Sequence, residues 1–542
     1  GTVLISSASR AKYKNLLTTL KSLRGFKYLE PNFLLQAATI PNDPSFPNQE
    51  DFNNTGQNGG TPDADIDAPE AWNLTTGSPD VVVGVIDSGI DYTHADLAAN
   101  IWTNPFEIAG DGIDNDGNGY IDDIHGWDFA NDDNDPMDDH GHGTHVSGTI
   151  AGVGNNNTDV AGISWSSKLM ALKILGADGY GELSAAIAAL NYADDMAQRG
   201  VNIRVTNNSY GDPGFSIAME DAIRASGDAG LLFVAAAGNS GTNNDIAPFY
   251  PASSPLDNII SVAATDNHDQ RASFSNYGAN SVHIGAPGLG IWSTSRGGGV
   301  TFMSGTSMAA PHVTGVAALA FSISPRGTAY SVIRNAILNG GDSVASLNGI
   351  TTTGRRLNAY GALAQLPLTV INATPGVDDV VSTAELDYDL NFSHPITPES
   401  IDASDLHVND IPADSFIIDN PTTVTFHFNS SPLSAEGLQT IQLVDGSITR
   451  QLDGAISQSF SGSFRYDALP MQVTSSSIER DQSVVHVNLN LNEPIDAASL
   501  NLSDLQVDQG AITAVEALDP QHLRFTISGL QPEVTLHVSL LP

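Results

Sequence analysis

The stretch Val81-Val82-Val83-Gly84-Val85-Ile86-Asp87-Ser88-Gly89-Ile90-Asp91 decides the fold. From Val81 to Ile86 it is apolar without alternation, broken only by Gly84, which is how a strand buried on both faces reads. Such a strand belongs inside a parallel sheet, and it delivers Asp87 at its C-terminal end. The theme recurs at Leu169-Met170-Ala171-Leu172, Ile203-Arg204-Val205, Leu231-Leu232-Phe233-Val234-Ala235 and Ile259-Ile260-Ser261-Val262. Helical spacing fills the intervals, as at Ser184 to Met196 and Phe215 to Gly227. The alternation predicts an α/β fold: an open, mostly parallel sheet with helices on both faces. In such sheets the site lies outside the carboxyl ends of the strands, which makes Asp87 a candidate functional residue.

Two further stretches supply the other groups of nucleophilic catalysis. His142 sits in Asp139-His140-Gly141-His142-Gly143-Thr144-His145-Val146-Ser147-Gly148-Thr149. Ser307 sits in Gly305-Thr306-Ser307-Met308-Ala309-Ala310-Pro311-His312, after Gly297-Gly298-Gly299 and before an apolar helical run from Val313 to Phe321. A serine among small residues at a helix start lets a substrate backbone come close, and the helix N-terminus favours developing negative charge. In the order Asp, His, Ser, these motifs resemble those of the subtilisin-like serine proteases, the subtilases, and the similarity runs from about Asn42 to Leu366.

The resemblance implies acyl transfer from a peptide carbonyl of a polypeptide substrate. Ser307 is the implied nucleophile, His142 the general base and acid, and Asp87 the residue that holds the imidazole. His142 opens the family's His-Gly-Thr-His-Val-x-Gly signature, while His140 stays open as an alternative. Ala235-Ala236-Ala237-Gly238-Asn239 matches the segment carrying the family's oxyanion asparagine, so Asn239 is the expected donor beside the Ser307 backbone N–H. Asn208-Ser209-Tyr210-Gly211 resembles the segment that pairs with substrate as an added strand. Ser209, Tyr210 and Gly211 are therefore expected to bind substrate, with Ala236, Gly238 and Phe249 lining the pocket for the residue before the scissile bond. A side chain as bulky as Phe249 is expected to make that pocket shallow.

A second signal is the acidic loop Asp111-Gly112-Ile113-Asp114-Asn115-Asp116-Gly117-Asn118-Gly119-Tyr120-Ile121-Asp122-Asp123. Its core from Asp114 to Gly119 matches the first half of an EF-hand loop, but the twelfth position is His125 instead of Glu. Another carboxylate has to close the site. The expected ligands are Asp114, Asp116, Asn118, Tyr120, Asp122 and Asp123, a hard oxygen set that favours Ca²⁺. Asp96 and Asn157 match positions that hold calcium in many subtilases. Asp128, Asp132, Asp133, Asp135 and Asp138 fit either a second ion or a solvated face.

Composition narrows the remaining classes. Of 542 residues none is cysteine, which excludes disulfides, zinc-thiolate sites and a cysteine nucleophile. The formal charge of −41, from 62 acidic and 21 basic residues, offers no basic run for nucleic acid. A surface so acidic is expected to need screening or bound cations. No apolar run reaches the roughly 18 residues of a membrane span.

Residues 1–36 read as strand, helix and strand, and Tyr28-Leu29-Glu30-Pro31-Asn32 resembles the end of a subtilase propeptide. They are expected to be a remnant propeptide and own inhibitor, followed by a linker and maturation region at 37–47 and a catalytic domain at 48–365. Beyond it, strands alternate as at Ala384 to Phe392, Thr422 to Phe428 and Val484 to Leu491. Leu366-Pro367-Leu368 recurs as Leu469-Pro470-Met471, and Ala403-Ser404-Asp405-Leu406 as Leu502-Ser503-Asp504-Leu505. Two Ig-like β-sandwich repeats are expected, at 366–468 and 469–542, the second incomplete. They fit a spacer or a binder of a cell-surface or matrix ligand. The chain opens on Gly1 and reads as a processed product, expected to be secreted. The rival reading is an adhesive surface protein whose protease domain is idle or narrowly specific.

Overall fold

The computed structural model describes residues 39–540, apart from 434, 470, 482–483, 494, 496–499, 503–504 and 531–535. The expectations for residues 1–36 and for Pro470, Ser503 and Asp504 lie outside these.

The helices are α1 (Ala68–Trp72), α2 (His142–Ala151), α3 (Leu183–Gln198), α4 (Ile217–Asp228), α5 (Thr306–Ser322), α6 (Tyr330–Gly340) and α7 (Ala359–Ala364). The strands begin with β1 (Val82–Asp87), β2 (Gly126–Asp128), β3 (Lys168–Lys173), β4 (Ile203–Asn208), β5 (Leu232–Ala236), β6 (Ile259–Thr265) and β7 (Ile284–Pro287). A hairpin of β8 (Ile291–Thr294) and β9 (Val300–Met303) stands apart, and β10 (Asp342–Ser343) and β11 (Arg355–Arg356) follow. The main sheet has nine strands in the order β10-β11-β7-β6-β5-β4-β1-β3-β2. All neighbours pair in parallel except β10 with β11.

The unbroken apolar run of β1 has a simple cause. Val83 and Val85 enter the core shared with α2 and α5, while Val82 and Ile86 enter the core shared with α3 and α4. With a helical layer on each face, no position of the strand meets water. Chain order reverses at β1, which pairs with β3 on one side and β4 on the other. That is the kind of switch point at which α/β sheets place their sites.

Helix α5 is buried almost along its whole length and packs against β4, β5, β6 and β7. Apart from His312, whose Nε2 lies 2.8 Å from Asp51 Oδ2, its residues are apolar or small all round, as a core helix requires. Pro311 lies inside it and has no N–H to give to the carbonyl four residues earlier, that of Ser307. That carbonyl accepts the Ser209 hydroxyl instead, at 2.9 Å. The proline thereby frees the backbone of the first turn to bind the neighbouring loop.

After α7 the architecture becomes all-β. One four-stranded sheet and one five-stranded sheet face each other across Tyr388, Leu390, Phe392, Val424, Phe426, Ile441, Leu443 and Phe464. Asp387–Phe392 and Thr423–His427 alternate buried with partly exposed residues, the two-residue period of a half-buried strand. A second all-β unit follows, with a four-stranded sheet and a two-stranded one, and Val484–Leu491 alternates in the same way. The first unit is fastened to the α/β domain by side chains that reach its last carbonyls. His394 Nε2 lies 2.9 Å from the Leu363 oxygen, and the Arg450 guanidinium donates to the Leu366 oxygen at 2.6 Å.

Candidate active site

Three adjacent strand ends build the site. Asp87 closes β1, Ser209 follows β4, and Asn239 comes shortly after β5. Asp87 is fully buried, and its Oδ1 accepts the Ser88 N–H and faces His142 Nδ1, both at 2.7 Å. Its Oδ2 has no hydrogen-bond partner among the described residues. Burial acts most strongly on the His142 imidazole and pulls its pKa down. The charge and hydrogen bond of Asp87 outweigh it, leaving that pKa above the ordinary 6.5.

His142 is the first residue of α2, and the carboxylate of Asp138 fixes where that helix starts. It accepts the Gly141 and Thr144 N–H groups at 2.7 and 2.8 Å and the Thr144 hydroxyl at 2.6 Å. The Ser88 hydroxyl, next to Asp87, donates to it as well. Asp138 is fully buried and saturated, so it serves the helix start and is not part of a solvated acidic face. Asp128 is likewise committed, to Ala130 and Asn131.

The neighbouring histidines are placed differently. His140 is exposed, its ring 6.3 Å from that of His142. His145 is buried against the Ile291 carbonyl, and burial pushes its pKa down to about 4. Of the three, only His142 meets Asp87.

Ser307 is the second residue of α5, and its Oγ donates to the Ser209 carbonyl at 3.1 Å instead of to His142. Thr306, which the sequence did not single out, orders the rest of the site. Its N–H and hydroxyl both donate to Asn239 Oδ1, at 2.8 and 2.9 Å, and its hydroxyl accepts the Gly238 N–H at 3.1 Å. With its oxygen taken, the exposed Asn239 amide can turn only Nδ2 toward the cleft. A Cβ on Gly305 would stand 3.5 Å from that Nδ2 and 3.6 Å from the Ser307 nitrogen. Two N–H donors therefore border one small space beside the serine, the arrangement that stabilises an oxyanion.

The expected substrate residues gather around the same space. Ser209 is buried against Ser307, the Tyr210 hydroxyl donates to Asn208 Oδ1 at 3.0 Å, and Gly211 is exposed. Ala236 ends β5, and Gly238 has a φ of 107°, a left-handed geometry that suits glycine. Phe249 lies against both Gly211 and Gly238.

In the acidic loop, Asp114 gathers the N–H groups of Gly117, Asn118 and Gly119 at 2.6 to 3.1 Å, winding the chain around one carboxylate. Glu107, absent from the expected ligands, bonds the N–H groups of Asn115, Asp116 and Asp122. Glu107, Asp114 and Asp116 each bring a carboxylate oxygen within 4.8 Å of the others. Asp122 instead holds Gly110 and Gly112, and Asp123 is buried among Asn104, Asn118 and the Tyr192 hydroxyl. Burial pushes the Asp123 pKa up to about 6. Asn118 Oδ1 accepts the Tyr120 N–H, and the Tyr120 ring packs on Trp127, Phe129 and Tyr192.

At the other expected position, burial lifts the Asp96 pKa to about 6. The side chain that meets Asp96 is Asn156, at 2.8 Å, whereas Asn157 is exposed and bonds Asn42 through its backbone.

The model of the subtilase family matches residues 78–361, from just before β1 into α7. The chain is a subtilase. A thermophilic serine proteinase of Bacillus sp. (strain AK1) is 36% identical over 355 residues, covering 65% of this chain and 77% of that protein. Thermitase of Thermoactinomyces vulgaris is 34% identical over 298 residues, 55% of this chain and 93% of thermitase. Subtilisin BL of Lederbergia lenta is 38% identical over 283 residues, 52% and 91% of the two chains. This subtilase is accordingly a serine endopeptidase. The all-β units lie beyond the matched residues. Among the described residues no helix is long and apolar enough to cross a membrane.

Proposed function

We propose that this subtilase cleaves polypeptides through Ser307, His142 and Asp87, with the Asn239 amide and the Ser307 N–H holding the oxyanion. The observation that carries the reading is the 2.7 Å pairing of buried Asp87 with His142 beside a serine flanked by two N–H donors. A substrate segment adds as a strand along Ser209, Tyr210 and Gly211. The Ser307 hydroxyl leaves the Ser209 carbonyl, gives its proton to His142 Nε2 and bonds to the peptide carbon. The C–N bond then breaks, the imidazolium returns the proton to the departing amine, and water releases the acyl group by the same steps. Asp87 fixes the tautomer and stabilises the imidazolium.

Calcium fits the acidic loop by its donor chemistry, three carboxylates of hard oxygen with backbone already wound around one of them. Glu107, Asp114 and Asp116 would hold it, and Asp96 belongs to a second candidate position. The ion supplies positive charge that offsets the clustered carboxylates, and the protein's own part is to keep residues 107–123 folded. Residues 1–36 are assigned to an inhibitory propeptide of a secreted enzyme, and the all-β units to spacing or to a cell-surface or matrix ligand.

The test is casein hydrolysis by the chain and by Ser307→Ala, each with calcium and with chelator. Wild type should be active, and the variant should lose on the order of a millionfold in turnover, the magnitude known for this deletion in subtilisin itself. Chelation should lower the melting temperature. Activity that survives Ser307→Ala sinks the triad assignment, and indifference to chelator sinks the calcium.

A further inference from the structure

The active-site reading fixes where the residue before the scissile bond must go. Its carbonyl has to lie between the Ser307 and Asn239 donors, and its backbone follows Ser209 to Gly211. Its side chain then enters the gap between two segments leaving adjacent strands, Ser209–Gly211 after β4 and Ala236–Gly238 at the end of β5. Phe249 occupies that gap. A Cβ placed on Gly211 would stand 2.3 Å from Phe249 Cε1 and 2.7 Å from Cζ, and one placed on Gly238 would stand 3.0 Å from Cδ1. A single edge of the ring thus touches both walls.

The backbone that carries the ring is also tied down. The Phe249 N–H donates to the Ser253 hydroxyl at 3.1 Å, and its carbonyl accepts the Ser253 N–H at 2.9 Å. Tyr250 exchanges two backbone hydrogen bonds with Asp212, each 2.8 Å, which locks the turn to the segment that follows Gly211. Part of the ring packs into the core formed with α3 and α4. Rotating the ring out would leave these backbone bonds intact but give up its packing against that core.

We propose that Phe249 restricts this subtilase to peptide bonds preceded by a small residue, glycine, alanine or serine. The proposal rests on the active-site reading above. Phe249 selects by exclusion: a leucine or phenylalanine at that position of the substrate meets the ring where a larger pocket would receive it. One methylene in an apolar pocket changes kcat/KM by roughly 10- to 200-fold, so a clash with a whole side chain lies at or beyond the upper end.

The experiment is a set of peptides identical except before the scissile bond, carrying Gly, Ala, Ser, Val, Leu or Phe. Each is incubated with wild type, Phe249→Ala and Ser307→Ala, and the fragments of unfolded casein cut by wild type are identified by mass. Wild type is expected to favour Ala over Leu and Phe by about 200-fold or more in kcat/KM. Phe249→Ala is expected to reverse that order. Wild type that cleaves after Leu or Phe as fast as after Ala, with Ser307-dependent activity, overturns the proposal and leaves the triad standing. No Ser307-dependent cleavage of any peptide or of casein overturns both. If Phe249→Ala does not fold, the wild-type series and the casein fragments decide the matter alone.

Discussion

The α/β domain and the first all-β unit both bury polar side chains, and they use them differently. Around β1 the polar groups hold one another: Ser88 holds Asp138, Asp138 holds the start of α2, Asp87 holds His142, and Thr306 holds Asn239. Each contact orients a group that faces the cleft. In the all-β unit the buried His394 and Arg450 reach the backbone carbonyls of Leu363 and Leu366, and no reactive group depends on them. A buried hydrogen bond is therefore not a sign of function in itself. What it holds in place decides whether its loss appears in turnover or in stability.

That contrast can be broken at specific residues. The largest effect is expected from Asp87→Asn, which leaves the shape intact but presents the wrong hydrogen-bond polarity to His142. Turnover should fall about 10⁴-fold with the melting temperature little changed. Equal damage to both would assign Asp87 to the core.

Next come the donors. Asn239→Ala should cost on the order of 100- to 1,000-fold in kcat, a magnitude taken from subtilisin itself, with KM nearly constant. Thr306→Val, which leaves only the backbone N–H at 306 to hold the Asn239 amide, should lose less, in the same direction. A Thr306→Val variant at wild-type rate would mean that the latch is dispensable.

The acid limb of the pH profile should be about tenfold per pH unit. In the proposed mechanism neutral His142 is the active base, and Asp87 raises its pKa from the ordinary 6.5, so kcat/KM should rise with pH through a value above 6.5. Asp87→Asn should move that limb downward. A limb that stays in place in the variant would belong to another group.

The smallest effect lies outside the α/β domain. Arg450→Ala leaves the Leu366 carbonyl and Asp453 without their partner and should cost about 1–3 kcal/mol of stability, with kcat/KM unchanged. The hydrogen bond from Arg450 lowers the Asp453 pKa to about 2. A depressed carboxylate pKa means this contribution is present above the ordinary 3.8 and fades as pH falls toward 2. Thermal melts across that range, with and without Arg450, measure it. Lost turnover in the variant would show that the two regions are coupled.

Much of this was legible in the sequence because it follows from period and local pattern. The unbroken run before Asp87 reads as a strand covered on both faces, and β1 has a helical layer on each. The alternation of Val484 to Leu491 reads as a half-buried strand, and it is one. Other features depend on contacts that spacing does not encode. Asp138 looks like one member of a solvated acidic run until the fold buries it under α2. Glu107 stands apart from the acidic loop in sequence, and only the path of the chain returns it to Asp114. Asn156 and Asn157 differ by one position, and the left-handed backbone at Asn157, φ 61°, is paired with an exposed side chain. Thr306 is invisible for a plainer reason: its value lies in what it does to Asn239, in the loop after β5.

The first turn of α5 carries both Ser307, the proposed nucleophile, and Thr306, which aims the proposed oxyanion donor, and the rest of that helix runs through the core. This turn cannot fray by itself, because it opens only when the packing along α5 opens. Heating should therefore not produce a folded but idle enzyme. Residual activity and the near-ultraviolet signal of the α/β core should vanish together, and an earlier loss of activity would mean that some other element of the site melts first.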